Sequence, residues 1–300
     1  MLENSFAKNT LQSYTTGLNS FDQFRSNYEL PKSWPPTIEQ VSTYVSWLSL
    51  QGLSHNTARL YVNAIGFQCK MKDVKDITRH FIIQKVLEGL KRSMSVRQSR
   101  LPITGNILLA ILKVLPSVCS NLYESYLFSA AYCLAFAAFL RISELAVSNK
   151  RYVSSVLSLA DTTFCKGESV TICIRYSKTD QYGQGSFLKV LKSSSIICAV
   201  ANLERYLERR PPVSGPLFCH LGGDPLTRYQ FSSVLKKCLA ILNLDYYGKF
   251  TSHSFRIGSA SHAAMLGYSD EAIKQAGRWR SEAYRLYIKP DHVLSLPTLS

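Results

Sequence analysis

The sequence predicts a mainly α-helical chain with one small antiparallel β-sheet, divided into two domains. Two observations carry this prediction. Apolar residues recur at helical spacing behind cap residues through most of the chain. Two β-rich runs, 169–176 and 186–192, interrupt that period, with a glycine-bearing turn region between them. We assign residues 1–95 to a helical domain, 96–103 to a basic linker and 104–300 to a larger mixed α+β domain.

Turn and cap residues divide the first domain into four helices. Thr10, Thr37 and Ser54 are candidate N-caps, because a hydroxyl oxygen accepts from the free backbone N–H groups of a first turn. Pro31 breaks the first helix and Gly52 ends the second. The predicted helices span 8–28, 38–52, 55–70 and 78–94.

The second domain begins with helices again after Pro102. Its predicted helices span 105–115, 122–146, 197–208, 227–242, 254–267, 270–276 and 282–288. The two β-rich runs form a hairpin, and a further strand is predicted upstream over 153–159. The apolar run 126–140 ends at a charged residue and is short for a membrane span, so we interpret it as a buried core helix.

The composition indicates an anionic partner. A net charge of +15 and a pI near 9.5 favour nucleic acid first and an acidic membrane second. The alternative is a soluble protein that is merely basic. The eight cysteines form no C-x-x-C pair and no signal peptide opens the chain, so we expect free thiols in a reducing compartment.

An acid-free basic stretch, 90–101, runs from the fourth helix into the linker. It carries four cations, Lys91, Arg92, Arg97 and Arg100. Such a segment can lie against a phosphate backbone, and we predict these residues to contact DNA. The alternative is a solvated connector.

Several polar side chains of the second domain suit chemistry on an anion. Arg141 and Glu144 lie three positions apart, the spacing of an intrahelical ion pair. Lys178 lies at the predicted hairpin tip, where a flexible ammonium can enter a groove and deliver a proton. His253 and Arg256 open a helix, where free backbone N–H groups and the positive dipole end favour a phosphate oxygen.

The last part of the chain adds an indole and two phenols. Trp279 follows Gly277 and Arg278, and its N–H is a donor without an acceptor. Tyr284 and Tyr287 follow, and a deprotonated phenol is a covalent nucleophile.

In order and spacing, the set Arg141, Lys178, His253-x-x-Arg256, Trp279 and Tyr287 resembles the catalytic residues of the tyrosine recombinases, also called the phage-integrase family. The ending GRW…YIK is similar to that of the branch carried by DIRS, Ngaro and Crypton-type eukaryotic mobile elements. Residues 1–95 resemble the family's helical, SAM-like core-binding domain, and 104–300 its catalytic domain.

The resemblance implies a DNA strand transfer. Arg141 and Arg256 would hold the non-bridging oxygens of a scissile phosphate, for which bidentate guanidinium geometry is suited. Tyr287 would attack, forming a 3′-phosphotyrosyl link and freeing a 5′-hydroxyl.

The remaining residues of the set would assist that step. His253 would transfer a proton at the nucleophile, and Lys178 would protonate the departing 5′ oxygen. Trp279, where many members have His, would donate a hydrogen bond to the transition state, and Glu144 would support the site.

The resemblance also implies the setting of the reaction. The partner would be double-stranded DNA, recombined at two sites by a tetramer whose subunits exchange an end segment, here 291–300. No metal or nucleotide cofactor is expected, because the phosphotyrosyl bond conserves the energy of the broken phosphodiester. The implied role is integration of a mobile element, and the implied location is the nucleus.

The match to the family leaves two points open, the packing before Arg141 and the identity of the nucleophile, and three alternative functions remain. Phe139 stands where the family commonly has Gly, so the packing before Arg141 is expected to differ. Tyr284 competes with Tyr287, because residues three apart share a helix face; the following Ile-Lys favours Tyr287. The alternative functions are a type IB topoisomerase, a catalytically silent DNA-binding protein derived from such an element, and an ordinary helical protein.

Overall fold

A computed structural model describes residues 8–94, 100–149, 156–165, 167–175, 185–244 and 250–289. The chain divides into two compact units, Met1–Arg97 and Gln98–Ser300. The described residues are mainly helical with a three-stranded antiparallel sheet, which confirms the predicted fold class.

The first unit is built from four helices around one core. These are α1 (Lys8–Asn27), α2 (Ile38–Leu50), α3 (His55–Met71) and α4 (Phe81–Ser93). Phe21, Phe24 and Tyr44 are fully buried and pack with ring centroids 5.0 to 6.2 Å apart. Aromatic pairs of this kind add to the stability that burial itself provides.

The helix ends of the first unit follow the predicted caps in part. Thr37 and Ser54 accept from the backbone N–H groups of Gln40 and Thr57, as predicted. The prediction for Thr10 was wrong, because α1 begins at Lys8.

The fourth helix begins later than predicted. Thr78 donates to the Asp76 carboxylate from both its N–H and its hydroxyl, at 3.0 and 2.6 Å, which holds a turn there. His80 therefore becomes the N-cap of α4.

The second unit encloses one long buried helix. Its helices are α5 (Gly105–Val118), α6 (Leu122–Ala137), α7 (Ile142–Leu145), α8 (Ala199–Leu207), α9 (Arg228–Ile241), α10 (His253–Met265) and α11 (Asp270–Ala276), with 3-10 helices at Leu159–Asp161 and Glu282–Tyr287. At the centre, Tyr132 of α6 packs on Phe231 and Phe255, with centroids 4.7 and 5.1 Å away. Its hydroxyl donates to the Phe231 carbonyl at 2.9 Å, so the buried phenol is satisfied.

The burial of α6 confirms the core helix predicted from the apolar run. Among the described residues, no helix is long and apolar enough to cross a membrane.

The sheet lies in the second unit and has the order β1-β2-β3, all antiparallel. The strands are β1 (Thr162–Cys165), β2 (Ser169–Ile174) and β3 (Ser186–Leu191). The β2–β3 pair, with Val170 opposite Val190, is the predicted hairpin. The upstream strand lies later in the chain than predicted. Ser158 and Asp161 form a capping box at the 3-10 helix Leu159–Asp161, and β1 begins only after this helix. The part of that prediction over 153–155 lies outside the described residues.

Candidate active site

Arg141 lies at a break after α6, not inside a continuous helix. The predicted helix over 122–146 was wrong, because α6 ends at Ala137 and Phe139 has a left-handed backbone, with φ of 51°. The Leu140 N–H bonds back to the Ala135 carbonyl at 3.0 Å, a pattern that closes a helix end. Arg141 is therefore the N-cap of the short helix α7.

Glu144 holds Arg141 from within α7. The carboxylate accepts from the backbone N–H of Arg141 at 2.9 Å and from Nη1 of its guanidinium at 3.1 Å. The ion pair expected from the spacing is present, but it is a helix-cap interaction. Glu144 is 3% exposed, so its negative charge depends on these partners.

A further arginine shares the same carboxylate. Nη2 of Arg278 donates to Glu144 Oε2 at 2.7 Å, and its side chain is 9% exposed. Sequence reasoning gave Arg278 no role, although it belongs to the Gly-Arg-Trp triplet that carried part of the resemblance. The backbone of Arg278 is also left-handed, with a φ of 54°, and no sequence pattern identifies an arginine in that conformation.

Arg256 is buried one turn into α10. It is 1% exposed and donates to the Phe139 carbonyl from Nη1 at 2.6 Å and to the Gly277 carbonyl from Nη2. Its Nε has no hydrogen-bond partner among the described residues. Burial, with the charges of Arg141 and Arg278, lowers the pKa of Arg256 to about 9.

His253 is the first residue of α10, as the sequence predicts, and lies beside Tyr287. The centroids of their rings are 4.9 Å apart. Burial lowers the pKa of His253 to about 4, and the positive charges of Arg100, Arg256 and Arg141 add to the effect. The imidazole is therefore neutral at pH 7 and has a ring nitrogen able to accept a proton.

The two tyrosines have different environments. The predicted α-helix over 282–288 is a 3-10 helix, Glu282–Tyr287. Tyr284 is 1% exposed and packs on Phe139 and Ile273, and its hydroxyl accepts from Arg285 at 3.2 Å. Tyr287 lies among the polar groups, with its ring centroid 5.9 Å from Cζ of Arg256.

A buried serine fixes the tyrosine segment to α10. Ser261 Oγ donates to the Tyr287 carbonyl at 3.1 Å and accepts from the Lys289 N–H at 2.9 Å. The Nζ of Lys289 in turn donates to the Arg100 carbonyl at 3.1 Å. This chain of contacts was not predicted, since no local pattern pairs a helical serine with a backbone 26 residues later.

Trp279 covers the buried guanidinium of Arg256. Its ring centroid is 4.3 Å from Cζ of Arg256 and 4.9 Å from the Tyr287 ring, a cation–π and an aromatic contact. The ring lies so close to Gly277 that a Cβ there would fall 1.6 Å from a ring carbon. Gly277 is therefore required by this close approach.

Of the remaining predicted site residues, the structure describes Lys91, Arg92 and Arg100. Lys178 and Arg97 lie outside the described residues. Lys91 and Arg92 lie in the last turn of α4 in the first unit, where Arg92 donates to Glu88 at 2.8 Å. Arg100 is exposed in the second unit and acts on the pKa of His253.

The cluster has an excess of positive charge beside a phenol. Arg141, Arg256 and Arg278 face one carboxylate, Glu144, and the nearby imidazole is neutral. Buried cations in excess of their counter-ions favour an anion, because the low dielectric strengthens the attraction. The arrangement can bind a phosphate next to a nucleophile and a proton acceptor.

Comparison with solved structures identifies the class of fold. No protein-family model matches the chain, and no curated protein matches it. The structure is similar to a lambda integrase dimer bound to a COC′ core site, with a TM-score of 0.68, 17% identity, and coverage of 98% of this chain and 75% of that one. It is also similar to the XerH site-specific recombinase bound to its difH substrate (TM-score 0.66, 16% identity, 92% and 75% covered).

A third similar structure is the Tn1549 transposon integrase with circular intermediate DNA, at a TM-score of 0.65 and 14% identity, covering 95% of this chain and 90% of that one. These neighbours are tyrosine recombinases and integrases. The chain therefore has the tyrosine recombinase fold.

Proposed function

We propose that this protein is a DNA strand transferase that cleaves and rejoins duplex DNA through a 3′-phosphotyrosyl intermediate. The observation that carries the proposal is the convergence of Arg256, His253 and Tyr287. The Nε of Arg256 is buried and has no hydrogen-bond partner among the described residues. The ring centroid of Tyr287 lies 5.9 Å from Cζ of Arg256 and 4.9 Å from the centroid of the neutral His253 imidazole.

In the proposed reaction, Tyr287 Oη attacks the scissile phosphorus and the bond to the 5′ oxygen breaks. The neutral His253 accepts the phenol proton, and Arg141 and Arg256 bind the non-bridging oxygens, whose charge grows in the transition state. Lys178 gives a proton to the leaving 5′ oxygen. The reverse attack by a 5′-hydroxyl on the phosphotyrosyl bond rejoins a strand and releases Tyr287.

Trp279 contributes to this step by its position. Because its ring covers Arg256, it shields that guanidinium from water, which strengthens the attraction of the guanidinium for a negative charge nearby. Its indole N–H is a further donor for the transition state, as the resemblance implies.

The wider setting is part of the same proposal. The DNA-bound neighbours include a lambda integrase tetramer on a Holliday junction, which supports duplex DNA as partner and a tetramer as the working assembly. The Tn1549 transposon integrase, and the GRW…YIK ending, support a role in integrating a mobile element.

The test is covalent capture of DNA. The full chain is incubated in EDTA with a pool of nicked duplexes that have a randomised core, and adducts are separated by denaturing electrophoresis. We expect an adduct with the wild type and with Tyr284→Phe, which keeps its buried ring, and none with Tyr287→Phe.

Three other outcomes would change the proposal. An adduct in Tyr287→Phe would contradict the assignment of the nucleophile. DNA binding without any adduct would favour the silent DNA-binding protein. Adducts accompanied by relaxation of supercoiled DNA, without joining of two sites, would favour the topoisomerase.

A further inference from the structure

Arg278 has a side chain that is only 9% exposed and an unfavourable backbone conformation, and the proposed reaction does not use it. Its φ of 54° lies in the region that residues with a Cβ rarely adopt, and its Nε has no partner among the described residues. Buried strain of this kind persists only where surrounding contacts maintain it. The contacts of Arg278 therefore indicate what it does.

Those contacts join two segments that are far apart in sequence. Arg278 donates to Glu144 Oε2 at 2.7 Å and reaches the Ala138 carbonyl at 3.5 Å. Arg256 connects the same two segments, through the carbonyls of Phe139 and Gly277. Two guanidiniums thus hold the chain around 138–144 against the chain around 277–278.

The sharing of Glu144 also limits what Arg141 can do. An arginine next to a carboxylate favours a bidentate pair, in which two of its N–H groups bind both oxygens. Here Oε2 accepts from Arg278 and from the Arg141 backbone N–H, while the Arg141 guanidinium donates through Nη1 to Oε1. Arg278 therefore prevents the Arg141 guanidinium from forming a bidentate pair with both oxygens of Glu144.

We propose that Arg278 is a positioning residue. Through Glu144, it keeps the Arg141 guanidinium available to bind the scissile phosphate. It also supplies the second positive charge that Glu144 needs, so that Arg141 keeps its attraction for an anion. The inference rests on the proposed function, but its physical content is an anion site that exists before any cleavage.

The test compares three variants in the full chain. Arg278→Gly removes the guanidinium and permits the left-handed backbone, and Arg278→Lys keeps a charge. Arg280→Gly is the control, because Arg280 is an exposed arginine two positions further along the chain. At saturating DNA, we expect Arg278→Gly to reduce the single-turnover rate of adduct formation about 10²-fold, as misplacement of a catalytic group does. Arg278→Lys should recover part of the rate, and Arg280→Gly should retain it.

A double variant decides whether Arg278 acts through Glu144. If it does, Glu144→Gln combined with Arg278→Gly reduces the rate about as much as the more damaging single change. Losses that multiply would mean independent roles and would overturn the inference.

A second readout needs no DNA cleavage. Inorganic phosphate should raise the melting temperature of the wild type and Arg280→Gly over chloride at equal ionic strength, and should raise that of Arg278→Gly much less. An equal phosphate effect in Arg278→Gly, or none in the wild type, overturns the inference even if adducts form. A phosphate effect lost in Arg278→Gly, in a chain that forms no adduct, supports the inference while the proposed function fails.

Discussion

Replacing Phe139 by glycine and by alanine tests the left-handed turn that places Arg141. Phe139 has a φ of 51° and is 9% exposed, with its ring edge-on to Trp279 at 6.2 Å. Both substitutions remove the buried ring, which costs about 3–5 kcal/mol of unfolding free energy. They differ in the backbone, because only glycine adopts this φ without strain.

The difference between the two variants has a calculable sign. Strain in the left-handed region costs a residue with a Cβ about 1–2 kcal/mol. Glycine loses more chain entropy on folding, which offsets about 0.5–1 kcal/mol of that gain. We therefore expect Phe139→Gly to be more stable than Phe139→Ala by about 0.5–1 kcal/mol, in reverse of the usual order.

The assay is urea unfolding of the second unit within the full chain. Ala137, the exposed last residue of α6, is the control, because Ala137→Gly should lower stability by the usual amount, about 0.5–1 kcal/mol. If Phe139→Gly is the less stable of its pair, the left-handed turn does not exist in solution, and the placement of Arg141 after it is refuted.

Two further predictions concern Arg256 and His253. Gly277→Ala would place a Cβ 1.6 Å from the Trp279 ring, so the ring must move away from Arg256. We expect the free energy of unfolding in urea to fall by about 1–3 kcal/mol or more, and adduct formation to be lost. Unchanged stability would contradict the close contact. The pKa of His253 is lowered from 6.5 to about 4 in the folded chain, so between these pH values the unfolded chain binds more protons than the folded chain. The free energy of unfolding therefore falls as the pH drops from 6.5 to 4, by up to about 3 kcal/mol. His253→Asn should show a shallower fall in thermal stability between pH 6.5 and 4, and equal slopes would refute the assigned pKa shift.

The sequence predicted those parts of the molecule that depend on neighbours along the chain. Thr37 and Ser54 cap helices because a hydroxyl reaches an N–H only a few residues away. The β2–β3 hairpin followed from composition and a turn region, and His253 was placed at the start of a helix by the same local reasoning.

The errors occurred where distant contacts override local preference. The sequence pattern over 122–146 favours one continuous helix, yet the chain breaks at Phe139, whose ring packs on Trp279 and whose carbonyl accepts from Arg256. The segment after Ser281 has helical spacing but forms a 3-10 helix, whose end is tied to α10 by Ser261.

By itself, the sequence determined the helical fold with its small sheet, the basic character, and the residue types and order that suit a phosphate and a phenol. The tertiary structure decided which groups meet. It placed Tyr287 rather than Tyr284 beside His253 and Arg256, and it brought the unpredicted Arg278 onto Glu144. The physical reason is that a buried charge is stable only with partners, and here those partners come from residues more than a hundred positions apart, which no local pattern encodes.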